Sequence, residues 1–171
     1  HSEGAKQLFI EFAQLYYEYA NGISEEAKQL RDAGDNYLAE TLEEINKVLT
    51  GESEQSLTDV YREFKDREQE NEIKVLEQLI EAAQLRFSFE EACDFYERLI
   101  EVAPTAEYHF RYARLLHSLN RFGEARQHYE AALKMYQELA KQNPKAYLQD
   151  VAAILNNLGI LLSDINELKQ A

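Results

Sequence analysis

Turn-forming residues and cysteine are scarce in this chain of 171 residues, which contains 2 Pro, 6 Gly, 1 Cys and no Trp. A β-sandwich or β-barrel needs a turn every 8 to 12 residues or so, and this composition excludes both. Cys93 alone cannot form an internal disulfide or a cysteine-built zinc site. Hydrophobic residues make up 45% of the chain and aromatic residues 11%, which is too much for a disordered protein. We expect an all-α fold of long helices with short connections.

Basic side chains are also in deficit, with 18 Lys and Arg against 32 Asp and Glu, so that the formal net charge is −14. Negative charge opposes the counterion release that drives binding to nucleic acids and the attraction to anionic lipids. Neither partner is expected. The sequence shows no unbroken apolar run of about 18 residues and no signal-peptide pattern at its start. The expected location is therefore the cytoplasm.

Motifs of catalysis and metal binding are missing. The glycines are scattered and form no phosphate-binding loop. His109 and His117 are two helical turns apart, and Glu124 and His128 have the four-residue spacing of helical ligands, but no His-Glu-x-x-His pattern accompanies them. Cys93 is expected to be a buried, inert thiol. No catalytic residue, cofactor or metal site is predicted, and the protein is not expected to be an enzyme.

A repeat of 33 residues is visible in the second half of the chain. The segment around Ala92 superposes on the segment around Ala125, and a helix-like pattern precedes each copy. Six positions match between the copies: Phe89 with Phe122, Glu91 with Glu124, Ala92 with Ala125, Tyr96 with Tyr129, Leu99 with Ala132 and Ile100 with Leu133. A third copy begins at 155–162 and places Gly159 where Ala113 stands in the second.

With small residues in both helices and an aromatic residue one turn later, the segment 73–136 resembles the tetratricopeptide repeat family. Pro104 lies where that family ends a unit, although Ile80 is bulky at a position where the family has a small residue. The second unit reaches no proline until Pro144, so its helix 121–142 is long, as in the branch that includes kinesin light chains. The resemblance implies a right-handed superhelical stack of antiparallel helix hairpins, a TPR-like α-solenoid.

The domain organisation follows from this frame. Residues 73–171 are interpreted as repeats, the last of them truncated, and residues 1–72 as a helical cap or degenerate repeats of one continuous solenoid, because about three units are needed for a stable stack. In the first part, a stripe from Leu8 to Ala20 is expected to end at Asn21-Gly22. One helix over 24–49 is favoured over two helices with a turn at Gly34-Asp35. Residues 51–56 form the predicted linker with Ser56 as a helix cap, and 65–72 is either mid-helix or a connection.

The resemblance implies that the protein binds a peptide or partner segment along a concave wall. In the family this wall is built from the first helix of each repeat unit. Arg and His side chains on that wall would suit an acidic partner. Glu77 and Glu81 occupy the place of the first basic pair of the family's carboxylate clamp, which argues against a chaperone-tail clamp. The candidate wall residues are Glu77, Glu81, Gln84, Glu107, Ile160 and Ser163, and the predicted site is Phe110, Arg111, Arg114, His117, Asn156 and Asn157. The alternative for Arg111 and Arg114 is that they pair with acidic side chains of the neighbouring helices.

The C-terminal part supports a second reading of function. A helix is predicted over 150–163 with Ile154, Leu155, Leu158, Leu161 and Leu162 on its surface, and the repeat frame would start a further helix at Ala171. The sequence is therefore expected to be a fragment of a longer array. An uncovered apolar face invites association, so the alternative functions are an oligomerisation module that forms a homodimer through 150–171, or a regulatory arm of a larger protein.

Overall fold

The computed structural model describes residues 3–65 and 71–171. Within these ranges the secondary structure is α-helical, and no residue in them belongs to a β-strand. The all-α prediction is therefore confirmed. The segment 66–70, in the middle of the predicted polar stretch 65–72, lies outside the described residues. The described ranges contain eight helices: α1 Glu3–Asp32, α2 Asn36–Thr50, α3 Leu57–Lys65, α4 Glu72–Leu85, α5 Phe89–Val102, α6 Ala106–Ser118, α7 Phe122–Gln142 and α8 Pro144–Gln170.

Two compact units divide the chain, one over residues 1–95 and one over 96–171, with the division inside α5. In the first unit, α2 packs against α1, α3 and α4. In the second, α7 packs against both α6 and α8. The predicted organisation, with a division near residue 72, one continuous solenoid and a right-handed superhelix, stays a prediction.

A turn separates α1 from α2, so the favoured single helix over 24–49 is wrong. Helix α1 ends at Asp32, and Gly34 then adopts φ +90°, a left-handed conformation that glycine reaches without steric cost. The Asp35 side chain then accepts a hydrogen bond from the Leu38 backbone N–H and begins α2. The apolar residues kept one phase across this turn because both helices present them to the same core.

The predicted helix end at Asn21-Gly22 is also wrong, because α1 runs through both residues. Gly22 lacks the positive φ found at Gly34 and Gly51. A single glycine costs a helix about 1 kcal/mol relative to alanine, which a helix of this length tolerates. The predicted linker and cap are confirmed: Gly51 ends α2 at φ +81°, and the Ser56 hydroxyl accepts a hydrogen bond of 3.0 Å from the Asp59 N–H before α3.

The repeat is visible in the backbone of two helix ends 33 positions apart. Phe87 follows α4 at φ 58° and Asn120 follows α6 at φ 60°. The next residue bonds back in both places, from Ser88 N–H to Ala83 C=O at 2.8 Å and from Arg121 N–H to Leu116 C=O at 2.9 Å. This is the Schellman pattern of a helix end, repeated with the period that the sequence predicts.

The matched small and aromatic positions are buried. Ala92 and Ala125 are both fully inaccessible, as are Ala113 and Tyr129, and Tyr96 is buried as well. A side chain larger than alanine would displace a neighbour at these positions, because protein cores are packed without spare volume. Cys93 is buried, as expected. Pro104 lies between α5 and α6, and α7 spans Phe122–Gln142, also as expected.

The last helix differs from the predicted 150–163. It begins at Pro144, where a proline suits the first helical turn, and continues to Gln170 without the expected break. Ile165 and Leu168 continue its apolar pattern, which explains the extra length. By length and composition α8 can cross a membrane, since its apolar residues are separated by few charges. The expected absence of a membrane partner therefore stays a prediction.

Candidate binding site

One face of α6 carries three of the predicted site residues. Thr105 caps this helix by accepting a hydrogen bond of 3.2 Å from the Tyr108 N–H, and the turn at Asn120 closes it. Phe110, Arg114 and His117 follow one another at spacings of four and three, so they lie on the same side of the helix. Arg114 is exposed, whereas the other two side chains are half-buried.

His117 joins α6 to α8. Its Nε2 lies 2.7 Å from Oδ2 of Asp164, and its Nδ1 lies 3.4 Å from the Tyr129 hydroxyl of α7. The ring packs edge-on against Phe122 and Tyr129, with ring centroids 5.7 and 6.1 Å apart. Contacts on both nitrogens and against two rings hold the imidazole in one orientation, which a site needs for directional hydrogen bonds.

Tyr129 is the centre of this arrangement, which we call the His117 cluster and define by Phe110, Arg114, His117, Tyr129, Asn157 and Asp164. The Tyr129 ring lies 5.9 Å from the Phe110 ring, and its hydroxyl lies 3.5 Å from Oδ1 of Asn157. Burial raises the pKa of Tyr129, and nearby Arg114 lowers it by a smaller amount. The hydroxyl is therefore neutral and available as a donor at physiological pH.

The single proton of the Tyr129 hydroxyl couples His117 to Asn157. If Nε2 donates to Asp164, Nδ1 is an acceptor that lies 3.4 Å from the hydroxyl. Oδ1 of Asn157 is a second acceptor at 3.5 Å, so the one proton of the hydroxyl is shared between the two side chains. The amide of Asn157 is meanwhile fixed by donating to the Ala153 carbonyl at 2.8 Å.

The two predicted arginines differ in their surroundings. Arg111 lies 3.8 Å from Glu107, one turn earlier on the same helix and not on a neighbouring one. Arg114 forms no ion pair within residues 3–65 and 71–171, and its guanidinium is exposed. Arg114 is therefore the cation of this face that can receive a carboxylate without first losing a partner.

The two predicted asparagines also separate. Asn157 belongs to the His117 cluster. Asn156 is exposed, and because adjacent residues of an α-helix are rotated by about 100°, it lies on a different face of α8. Ile160 is 48% exposed on the same helix. The structure thus brings together Phe110, Arg114, His117 and Asn157, and it leaves Arg111 and Asn156 at the margin.

Sequence reasoning missed Asp164 and the hydroxyl of Tyr129. Tyr129 was identified only as a packing residue of the repeat, and Asp164 lay beyond the predicted end of its helix at residue 163. One signal for Asp164 was present, since it follows Asn157 by seven residues and shares its helix face. Its pairing with His117, 47 positions away, depends on how α6 and α8 pack on α7.

A second histidine pair lies apart from the His117 cluster. Nδ1 of His109 and Nδ1 of His128 are 2.9 Å apart, so one ring donates and the other accepts. Burial lowers the pKa of both rings, and a positive charge on His109 further lowers the pKa of His128. His109 therefore pairs with His128 rather than with His117. No group of three or more metal-ligating side chains occurs in the described ranges.

Comparison with known proteins gives one match. The family model described as tetratricopeptide repeat matches residues 113–144, which cover the second half of α6 and all of α7. No curated protein matches the chain, and no solved structure does. The match supports a helical-repeat scaffold for protein–protein interaction, in a family that is generally non-catalytic.

Proposed function

We propose that the α6–α8 face of this protein binds an extended segment of a partner protein through a carboxylate of that segment. The observation that carries the proposal is the exposed Arg114, which has no ion pair among the described residues, beside the ordered polar side chains of the His117 cluster. A guanidinium offers paired N–H donors whose geometry matches a carboxylate, so the two can form a bidentate hydrogen bond.

The surroundings of Arg114 suit a peptide rather than a free acid. Phe110 supplies half-buried aromatic area for an apolar side chain, and Asn156 supplies an exposed amide for the peptide backbone. Contacts spread along two helices allow affinity to accumulate over several peptide residues. The rigid His117 contacts to Asp164 and Tyr129 lower the entropy that binding costs, because the wall is ordered before the partner arrives.

Other expectations from the sequence belong to this proposal. The 21-residue length of α7 supports the kinesin-light-chain-like branch of the family. A regulatory arm of a larger protein would use the same groove in a longer chain. Self-association through 150–171 would use a different face of α8, with its own residues.

The test compares Arg114→Glu with Arg126→Glu. Both changes alter the net charge equally, but Arg126 lies on α7 and already pairs with Glu130 at 2.8 Å. The probe is a pool of fluorescent unstructured decapeptides rich in Asp and Glu, with a matched pool in which Asn and Gln replace the acids. Fluorescence anisotropy would measure both pools against each variant.

We expect the acidic pool alone to bind. A charge-assisted hydrogen bond contributes about 1.5–3 kcal/mol, so Arg114→Glu should weaken binding by roughly tenfold or more. Arg111→Glu should weaken it less, since Arg111 gives up Glu107 to bind. Equal losses in Arg114→Glu and Arg126→Glu would mean that overall charge, not this face, attracts the peptides, and the groove assignment would be wrong.

A further inference from the structure

α8 presents three different faces. One packs on α7 and contains the buried Ile154 and Leu161. A second carries Asn157 and Asp164 of the His117 cluster. The third is an outer stripe at spacings of four, three, four and three residues, and it has no partner within the described parts of the chain. We call it the outer stripe and define it by Leu148, Ala152, Leu155, Gly159 and Leu162.

The outer stripe has the form of a helix-packing seam. Leu148, Leu155 and Leu162 are between 43% and 57% exposed, which is unusual for leucines repeated every seven residues on one face. Ala152 and Gly159 lie between them, and open space surrounds Gly159. Small residues between leucines let a second helix approach closely. The surface therefore fits an α-helix better than an extended peptide.

The order of residues in the stripe is nearly the same in both directions from Leu155. When two copies run antiparallel, Leu148 of one meets Leu162 of the other, Ala152 meets Gly159, and Leu155 meets Leu155. A stripe that is complementary to itself is what a two-fold symmetric interface requires. A parallel pair would instead bring glycine to glycine and leave space at that level.

Charges along the same helix favour the antiparallel direction. Lys145 and Glu167 lie on one flank of the stripe, ten residues before and twelve residues after Leu155. Both are exposed, and neither forms an ion pair within the described ranges. An antiparallel pair brings Lys145 of each copy next to Glu167 of the other, whereas a parallel pair leaves these opposite charges 22 residues apart along the helix axis and so gains nothing from them.

From this complementarity we infer that the outer stripe is the interface of a homodimer in which two α8 helices pack antiparallel about Leu155. The interface does not use the residues of the His117 cluster. The net charge of −14 per copy opposes association at long range, and salt shortens that range to about 8 Å at 0.15 M. The dimer is therefore expected to tighten as salt is raised.

The test is sedimentation of the whole chain over concentrations from about 5 to about 500 µM, the span in which a weak interface dissociates. The wild type should pass from monomer to dimer and no further. Leu155→Glu places two like charges opposite each other and should weaken dimerisation by at least about 100-fold. Leu168→Glu is the matched control, since Leu168 is 62% exposed on the same helix but lies off the stripe; it should leave the dimer unchanged.

Charge reversal tests the direction of packing without touching an apolar residue. Lys145→Glu and Glu167→Lys should each weaken the dimer by roughly 3- to 10-fold, since two exposed ion pairs are lost together. The double variant should restore wild-type association. Failure to restore it, a chain that stays monomeric throughout, or a dimer insensitive to Leu155→Glu would overturn the inference. A monomer that instead floats with phosphatidylcholine vesicles would assign the stripe to a lipid surface and overturn it equally.

Discussion

Two helices of this protein, α4 and α6, end in the same way and bury the same side, but their outward faces differ in charge. They end in the same left-handed turn, at Phe87 and at Asn120, and buried residues line the core side of both. Their outward residues correspond at 33 positions' distance: Glu77 with Phe110, Glu81 with Arg114 and Gln84 with His117. The repeat therefore conserves what the core needs and leaves the wall free to vary in charge.

The two helices also differ in how they contact the helix beside them. In the first unit, Tyr19 of α1 donates from its hydroxyl to the backbone carbonyl and the side chain of Gln78 on α4, and Glu26 pairs with Lys74. Burial, with Glu81 and Glu26 nearby, raises the pKa of Tyr19. In the second unit, Asp164 of α8 pairs with His117 of α6. The α4 contacts to α1 thus come from Gln78 and Lys74 rather than from the acidic wall residues, whereas on α6 the wall residue His117 itself meets a carboxylate.

The largest expected effect concerns the buried alanine that each of the two hairpins has at the corresponding position. Ala92→Leu and Ala125→Leu each force three extra carbons into a fully buried position, which should cost about 1–3 kcal/mol of unfolding free energy. The same change at exposed Ala5 is the control and should cost almost nothing. Urea denaturation followed by circular dichroism would measure all three. If Ala92→Leu were harmless and Ala125→Leu severe, the two helices would not share a packing design.

The sequence was sufficient to predict these core positions, because small and aromatic residues recur at a fixed spacing that can be recognised without knowing how the helices pack. The sequence was insufficient to predict the turn at Gly34-Asp35. The apolar residues before and after this turn keep the spacing of one helix, so the sequence pattern resembles a continuous helix. It was insufficient again at Asp164, whose contact with His117 depends on the rotation of α8 about its own axis. Periodicity reports which face is buried, but it does not report which polar residue of a neighbouring helix lies opposite.

A smaller effect is expected at the two turns. Phe87 holds a left-handed conformation that costs a residue with a Cβ about 1 kcal/mol or more, and its ring stacks on Phe12 at 5.2 Å. An aromatic pair contributes about 0.5–1.5 kcal/mol, so Phe87→Gly should change stability little in the wild type. In a Phe12→Ala background the stacked pair is already lost and only the edge contact of Phe87 with Phe89 at 6.0 Å remains, so Phe87→Gly should stabilise the protein by up to about 1 kcal/mol.

Asn120→Gly is the matched variant in the second unit. Asparagine tolerates the left-handed conformation better than phenylalanine does, so the gain there should be only a few tenths of a kcal/mol, by the ordering of residues in such turns. Thermal unfolding of the four variants would give the coupling between residues 12 and 87. A destabilising Phe87→Gly in the Phe12→Ala background would show that the ring has another role.

The smallest expected effect is a pH dependence in the second unit, from His109 and His128. Burial lowers the pKa of both below their unfolded value near 6.5, so below that pH the unfolded chain binds more protons than the folded chain. The stability that the pair provides is present above pH 6.5 and is lost as pH falls through the lowered folded pKa values. Glu124 opposes the shift at His128, and solvent screens part of it, so the loss should be roughly a few tenths of a kcal/mol.

His128→Gln isolates this contribution, because glutamine can keep a hydrogen bond to His109 but does not titrate. Between pH 7.5 and pH 5, the wild type should lose more unfolding free energy than the variant, whereas from pH 7.5 to pH 9 the two should change in parallel. The comparison separates the histidine pair from the carboxylates, which are the same in both proteins. Parallel curves over the acidic range would mean that the two rings stay paired while one of them carries the extra proton.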